Sequence, residues 1–191
     1  MDATGSIRDR IRLVPGAEGR RRHLLHPLNG RFHPVDHQAL DTLVRDLVPC
    51  VDVATVDYVI GFPEGGSIPA YAFARLVDRP LILASRLPLD LPGRITFEQP
   101  GARLGTTQYL YGLAPGHRVL LVEDELTSGL SAVNAVRALR AAGVRIDEIA
   151  ALFVIDHPSL WRRLQAEAIT LHAGLRLPPE YAPRSLEAEP G

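Results

Sequence analysis

Residues 119–131, VLLVEDELTSGLS, set groups with opposing chemical preferences a few positions apart. An apolar run, residues 119–122, leads into two adjacent carboxylates, Glu123 and Asp124. Thr127, Ser128, Gly129 and Ser131 follow, and a helical pattern starts at Leu130. A helix start exposes unpaired N–H groups at the positive end of its dipole, which suits a phosphate dianion. Gly129 lets the backbone come close to such an ion, and the hydroxyls add donors. The carboxylates repel a phosphate and need another partner. Vicinal sugar hydroxyls supply it, since each can donate to a carboxylate oxygen. A ligand carrying a phosphate beside a ribose diol satisfies both halves. A plain strand–turn–helix junction needs only one capping hydroxyl, Thr127 or Ser128. It leaves the acidic pair, Gly129 and Ser131 without a reason.

The elements that would hold this loop alternate along the chain. Apolar runs at 58–61, 80–84, 119–122 and 149–155 read as strands. Helical spacing covers 35–48, 68–77, 130–142 and 158–168. Asp36 caps the first helix and Pro49 ends it; Gly143 follows the third and Pro158 opens the fourth. Such alternation predicts an α/β fold, a mainly parallel sheet flanked by helices. Ligands of these sheets bind beyond the carboxyl ends of the strands, which points to residues 61–67 and 123–131. Residues 85–113 break the rhythm with three Pro and four Gly. Residues 95–97 and 106–110 can pair there as a hairpin around 99–101, and a long insertion of this kind reads as a flexible lid, about 86–112. The expected organisation is an N-terminal arm over 1–22, one domain over 23–177 and a fraying tail over 178–191.

Composition bounds the function. The 191 residues carry a formal net charge of −1, so no broad field draws nucleic acid or an anionic membrane. All 21 basic residues are Arg, so any cation gripping an oxyanion is a guanidinium. A single cysteine, Cys50, excludes an internal disulfide and suits a reducing cytoplasm. No apolar run reaches membrane-spanning length, and residues 1–22 show no secretion signal. His26, His33 and His37 lack a supporting carboxylate motif for zinc and read as turn or pocket residues.

Residues 119–131 resemble the motif by which type I phosphoribosyltransferases bind phosphoribosyl pyrophosphate (PRPP), with Glu125 where an apolar residue is usual. The likeness is greatest to adenine phosphoribosyltransferase-like members. It implies that Glu123 and Asp124 hold the ribose hydroxyls, while Thr127, Ser128, Gly129, Leu130 and Ser131 bind the 5-phosphate. Residues 56–80 resemble the segment in which Glu64, Gly65 and Gly66 bind pyrophosphate, with Arg86 after the next strand. That family usually has Arg where Gly65 stands. Leu91-Pro92-Gly93 resembles the start of the family's hood, and Glu98 matches its general acid/base. Arg94 and Arg103 are candidate cations for the leaving group, or solvated loop residues. Leu24, Leu25 and Phe62 fall where the acceptor would lie, with Leu24 at the position of a stacking aromatic. Phe97 and Tyr109 could supply a replacement ring or pack in the core.

The resemblance implies transfer of phosphoribosyl from PRPP to a nucleobase or base-like acceptor with release of pyrophosphate. Mg²⁺ would be held mainly by PRPP, near Asp124, with no dedicated protein ligands, and the enzyme would be a cytoplasmic homodimer. A non-catalytic PRPP or nucleotide sensor on the same fold is the alternative. The missing cation at Gly65 favours it, and the intact acidic pair favours an enzyme.

Overall fold

The structure, a computed structural model, describes residues 7–15, 22–30, 33–100 and 107–182. Arg103 and the tail beyond 182 lie outside them. Five parallel strands form the central sheet in the order β4-β3-β7-β8-β9: β3 Tyr58–Gly61, β4 Leu81–Leu83, β7 Val119–Leu126, β8 Glu148–Ile155 and β9 Thr170–Leu177. Four helices flank it: α1 His37–Leu47, α2 Ser67–Leu76, α3 Leu130–Ala141 and α4 Pro158–Ala166. Two hairpins complete the described chain, β1 Arg12–Pro15 with β2 Arg22–Leu25, and β5 Ile95–Glu98 with β6 Thr107–Leu110.

The two faces of the sheet carry separate apolar cores. In β7, Leu120 and Val122 join α1 and α2, whereas Val119 and Leu121 join α3 and α4. This period-two alternation also sends neighbouring carboxylates to different surroundings. Asp36 caps α1 by accepting from the Ala39 amide at 3.0 Å. That amide first, then Arg10, holds the Asp36 carboxyl below its usual range.

Three expectations change. Part of the N-terminal arm is built into the domain: Ile7 and Ile11 are buried, β1 pairs with β2, and Arg10 bonds Asp36. Its apolar residues are too few and too far apart for a periodic pattern, so only the tertiary partner reveals them. The strand expected to stop at Val122 continues to Leu126, because parallel pairing with β8 carries the acidic residues as strand backbone. Strand β9 was not foreseen, since His172, Gly174 and Arg176 interrupt its apolar residues. The antiparallel pairing of β5 with β6 forms as expected. Phe97 packs on Phe62 with ring centroids 4.8 Å apart, worth roughly 0.5–1.5 kcal/mol beyond area burial. Asn134 of α3 donates to the Glu98 carbonyl at 2.9 Å.

Candidate active site

A cavity of about 310 Å³ opens at the carboxyl ends of β3 and β7. Residues 62–66 form one wall and residues 123–132 the other, with Arg86, His23, Gln99 and Pro100 at its margin. The structure therefore joins both loops singled out by the strand-end rule, 56 or more positions apart in sequence.

The two carboxylates are buried, Glu123 at 7% and Asp124 at 5% exposure, and their settings differ. Glu123 Oε1 accepts from the Phe62 amide at 3.1 Å. Burial, and then the negative charge of Asp124, push the Glu123 carboxyl well above its ordinary range. Asp124 Oδ2 accepts from Asn29 Nδ2 at 3.0 Å and lies 3.4 Å from His26 Nε2. Burial alone would raise Asp124 too. The His26 and Asn29 contacts outweigh it and hold Asp124 below the usual carboxylate range. The adjacent acids therefore shift in opposite directions, and the charged form is favoured more at Asp124 than at Glu123.

Glycine is required at both walls. A Cβ on Gly65 would sit 2.0 Å from Asp124 Oδ2, and one on Gly66 would sit 2.7 Å from Glu123 Oε2. The position that carries Arg in the resembling family therefore has no room for any side chain while Asp124 keeps this place. Gly129 caps α3 with φ 72°, and a Cβ there would meet Leu160 Cδ1 at 2.6 Å. The Ser128 hydroxyl accepts from the Leu130 amide at 3.3 Å, and Arg163 donates to the Ser128 carbonyl at 2.9 Å. Thr127, Leu130 and Ser131 line the same wall. Glu64 lines the opposite wall, where the Pro63–Glu64 peptide is cis. Arg86 Nη1 is 3.9 Å from Glu64 Oε1, and both side chains are more than half exposed, so this pair restrains Arg86 little.

Several expected residues lie elsewhere. Leu24 is buried in the α1/α2 core, because strand alternation in β2 turns it inward and leaves its neighbour His23 at the cavity. Leu25 lines a separate depression with Arg10, Arg12 and Val14. Phe62 does reach the cavity, though most of its ring is buried against Phe97. Glu98 is outside it, exposed on the hairpin, where its carboxylate accepts from the Thr107 hydroxyl at 2.8 Å. Arg94 lies 5.7 Å over the Tyr109 ring. Asn29, which the sequence left without a role, and His26 belong to the site's floor. They stand 95 and 98 positions from Asp124, so no local spacing connects them to it.

Comparisons with known proteins agree with this geometry, although no family model matches the chain. It is 24% identical over 131 residues to a hypoxanthine/guanine phosphoribosyltransferase of Methanosarcina barkeri, covering 69% of each chain. To the same-named protein of Methanocella paludicola it is 26% identical over 145 residues, covering 75% of each. The adenine phosphoribosyltransferase structure from Rhodothermus marinus superposes with a TM-score of 0.70 at 22% identity, over 92% of this chain and 98% of that one.

Proposed function

We propose, from the premise that this chain belongs to the type I phosphoribosyltransferase family, that it transfers the 5-phosphoribosyl group of PRPP to a purine base. The observation that carries this reading is the cavity itself. Asp124, held below the usual carboxylate range, and Glu123, pushed above it, stand between a glycine-rich loop and a hydroxyl-lined helix start. The N–H groups opening α3 and the hydroxyls of Thr127, Ser128 and Ser131 take the 5-phosphate. Asp124 accepts from one ribose hydroxyl, while Glu123 can accept from another or donate to it. Backbone at Gly65 and Gly66, with Arg86 above it, meets the pyrophosphate.

In the reaction the bond from C1 to the pyrophosphate oxygen breaks, and the leaving group keeps the electron pair. A bond from an acceptor nitrogen to C1 forms, and the proton that nitrogen loses passes to the departing pyrophosphate or to solvent. Positive charge gathers at C1 in the transition state, and the buried Asp124 carboxylate favours it electrostatically. The hairpin end at Gln99 and Pro100 borders the cavity and would exclude competing water. His23 supplies a ring on the acceptor side, where the resemblance placed Leu24. Glu98 reaches an acceptor only if the hairpin moves inward.

Magnesium fits the described lining. Glu64, Asp124 and Glu125 line the cavity beside the raised carboxyl of Glu123, against one guanidinium, Arg86. A polyanion enters such a site only with a cation between the charges, and Mg²⁺ riding on PRPP supplies that neutralisation. Asp124 is the nearest residue by chemistry to hold it through water.

The homodimer belongs to the same proposal. Large exposed apolar side chains, among them Tyr71, Leu76, Leu83 and Leu87, concentrate on α2, on the edge strand β4 and just beyond it. Patches of this kind mark association surfaces. Sedimentation of the purified chain at the monomer mass would remove this part. A cytoplasmic setting rests on Cys50, free and exposed; no helix among the described residues is long and apolar enough to cross a membrane.

The test is a thermal shift with Mg²⁺ and PRPP, followed by pyrophosphate release with hypoxanthine, guanine and adenine. Stabilisation by PRPP and release with a purine are expected. Stabilisation without release from any acceptor would favour the sensor, and no PRPP effect would end the whole reading.

A further inference from the structure

We propose that His26 and Asn29 are positioning residues for the transfer reaction: they grip the Asp124 carboxylate by one oxygen and fix the orientation in which it meets the ribose. The inference rests on the function proposed above and deepens it.

The three side chains form a closed polar group under the cavity. His26 is 0% exposed, Asn29 3% and Asp124 5%. The Leu28 amide donates to His26 Nδ1 at 3.3 Å, which places the imidazole proton on Nε2. Nε2 then faces Asp124 Oδ2 at an ion-pair distance of 3.4 Å. Asn29 Nδ2 donates to the same oxygen at 3.0 Å. In this tautomer the 3.2 Å approach of Asn29 Nδ2 to His26 Nε2 sets two donors side by side, so both bonds that count end on Asp124. Two donors on one oxygen fix the rotation of the carboxylate about its Cβ–Cγ bond. Gly65 closes the remaining side, since even a Cβ there would overlap Oδ2.

Stability alone gives no reason for this arrangement. The His26 ring packs at 4.6 Å on Phe153, inside a core built from aliphatic and aromatic side chains. Apolar residues would fill that volume without the desolvation that two buried polar groups incur. What His and Asn supply, and Leu cannot, is a pair of aimed N–H donors. The donors come from the segment that follows β2, three residues past His23 at the cavity margin. The N-terminal hairpin thereby reaches under the ribose-binding strand, and the site depends on a segment far from it in sequence.

The experiment compares His26→Leu, Asn29→Leu and His26→Gln with the wild type in steady-state transfer, varying PRPP at saturating purine. A carboxylate free to rotate loses the aligned geometry that the transition state needs, so kcat falls roughly 10- to 100-fold in each Leu variant. KM for PRPP, set largely by the phosphate and pyrophosphate contacts, stays within about threefold. His26→Gln recovers most of kcat, because its terminal N–H₂ can occupy the place of Nε2–H. Thermal melts identify any variant that is unfolded, and Asn29→Leu keeps the test open if His26→Leu does not fold. Unchanged kcat in the folded Leu variants, a rise confined to KM, or Gln performing no better than Leu would overturn the inference alone. A wild type that neither binds PRPP nor transfers it would overturn the functional reading and this inference with it.

Discussion

Gly65→Ala adds one methyl group to a loop that the resembling family fills with Arg. The new Cβ would stand 2.0 Å from Asp124 Oδ2, 2.5 Å from its Cγ and 2.7 Å from its Oδ1. Ordinary van der Waals contact begins at 3.4 Å, so loop and carboxylate must separate by 3.4 − 2.0 = 1.4 Å. That exceeds the slack in the 3.0 Å bond from Asn29 to the same oxygen. Overpacking of this kind costs about 1–3 kcal/mol, which lowers Tm by roughly 2–12 °C in a chain of this size. A displaced carboxylate also costs about 100-fold in turnover for a shift near 1 Å. Differential scanning calorimetry and a pyrophosphate-release assay read the two effects separately. Gly65→Arg carries the same Cβ and is expected to lose activity rather than restore a missing cation. A Gly65→Ala protein with wild-type Tm and kcat/KM would refute the steric argument. A gain of activity in Gly65→Arg would show that charge, not room, governs this position.

Asp124→Asn should keep the fold, because an amide oxygen still accepts from Asn29 and His26, yet lower kcat by roughly 100- to 1,000-fold through loss of the negative charge; turnover near wild type would remove the ribose role. Glu123→Gln tests the raised carboxyl. The folded state prefers its protonated form, so its contribution to stability is complete below about pH 4.5, the ordinary value, and is lost as pH rises toward the folded pKa. Asp124 works in the opposite sense, stabilising above about 3.8 and losing that contribution as pH falls. Melts of the unliganded proteins from pH 4 to 8 should show Glu123→Gln gaining on the wild type as pH rises; parallel curves would contradict the burial argument. Gly129→Ala forces a side chain into φ 72° and against Leu160, at about 1–2 kcal/mol for the left-handed backbone. Its KM for PRPP should rise more than its kcat falls, and an unaltered KM would separate this turn from phosphate binding.

The cavity wall at residues 123–131 was legible because its chemistry is local. Acidic pair, hydroxyls, Gly129 and the opening of α3 lie within residues 123–131, and strand and helix periodicities locate them at a sheet edge without any long-range knowledge. The same holds for α1 with its Asp36 cap and for the β5–β6 hairpin. The cavity-lining position on β2 was read one residue out of phase. In a strand a shift of one residue exchanges the two faces, so His23 faces the cavity while Leu24 enters the core. Glu98 sat in the expected sequence place, but its hairpin carries it to Thr107 instead of the cavity.

The sequence by itself determined the fold class, the hydroxyl-rich loop that opens α3 and the identity of the two carboxylates, since each follows from neighbours in the chain. Only the tertiary structure decided how those carboxylates differ. A protonation preference depends on burial and on donors brought from elsewhere, and Phe62, His26 and Asn29 reach Glu123 and Asp124 across 61 or more positions. It also decided why Gly65 is a glycine. The overlap that forbids a side chain there is with Asp124, on the neighbouring strand β7.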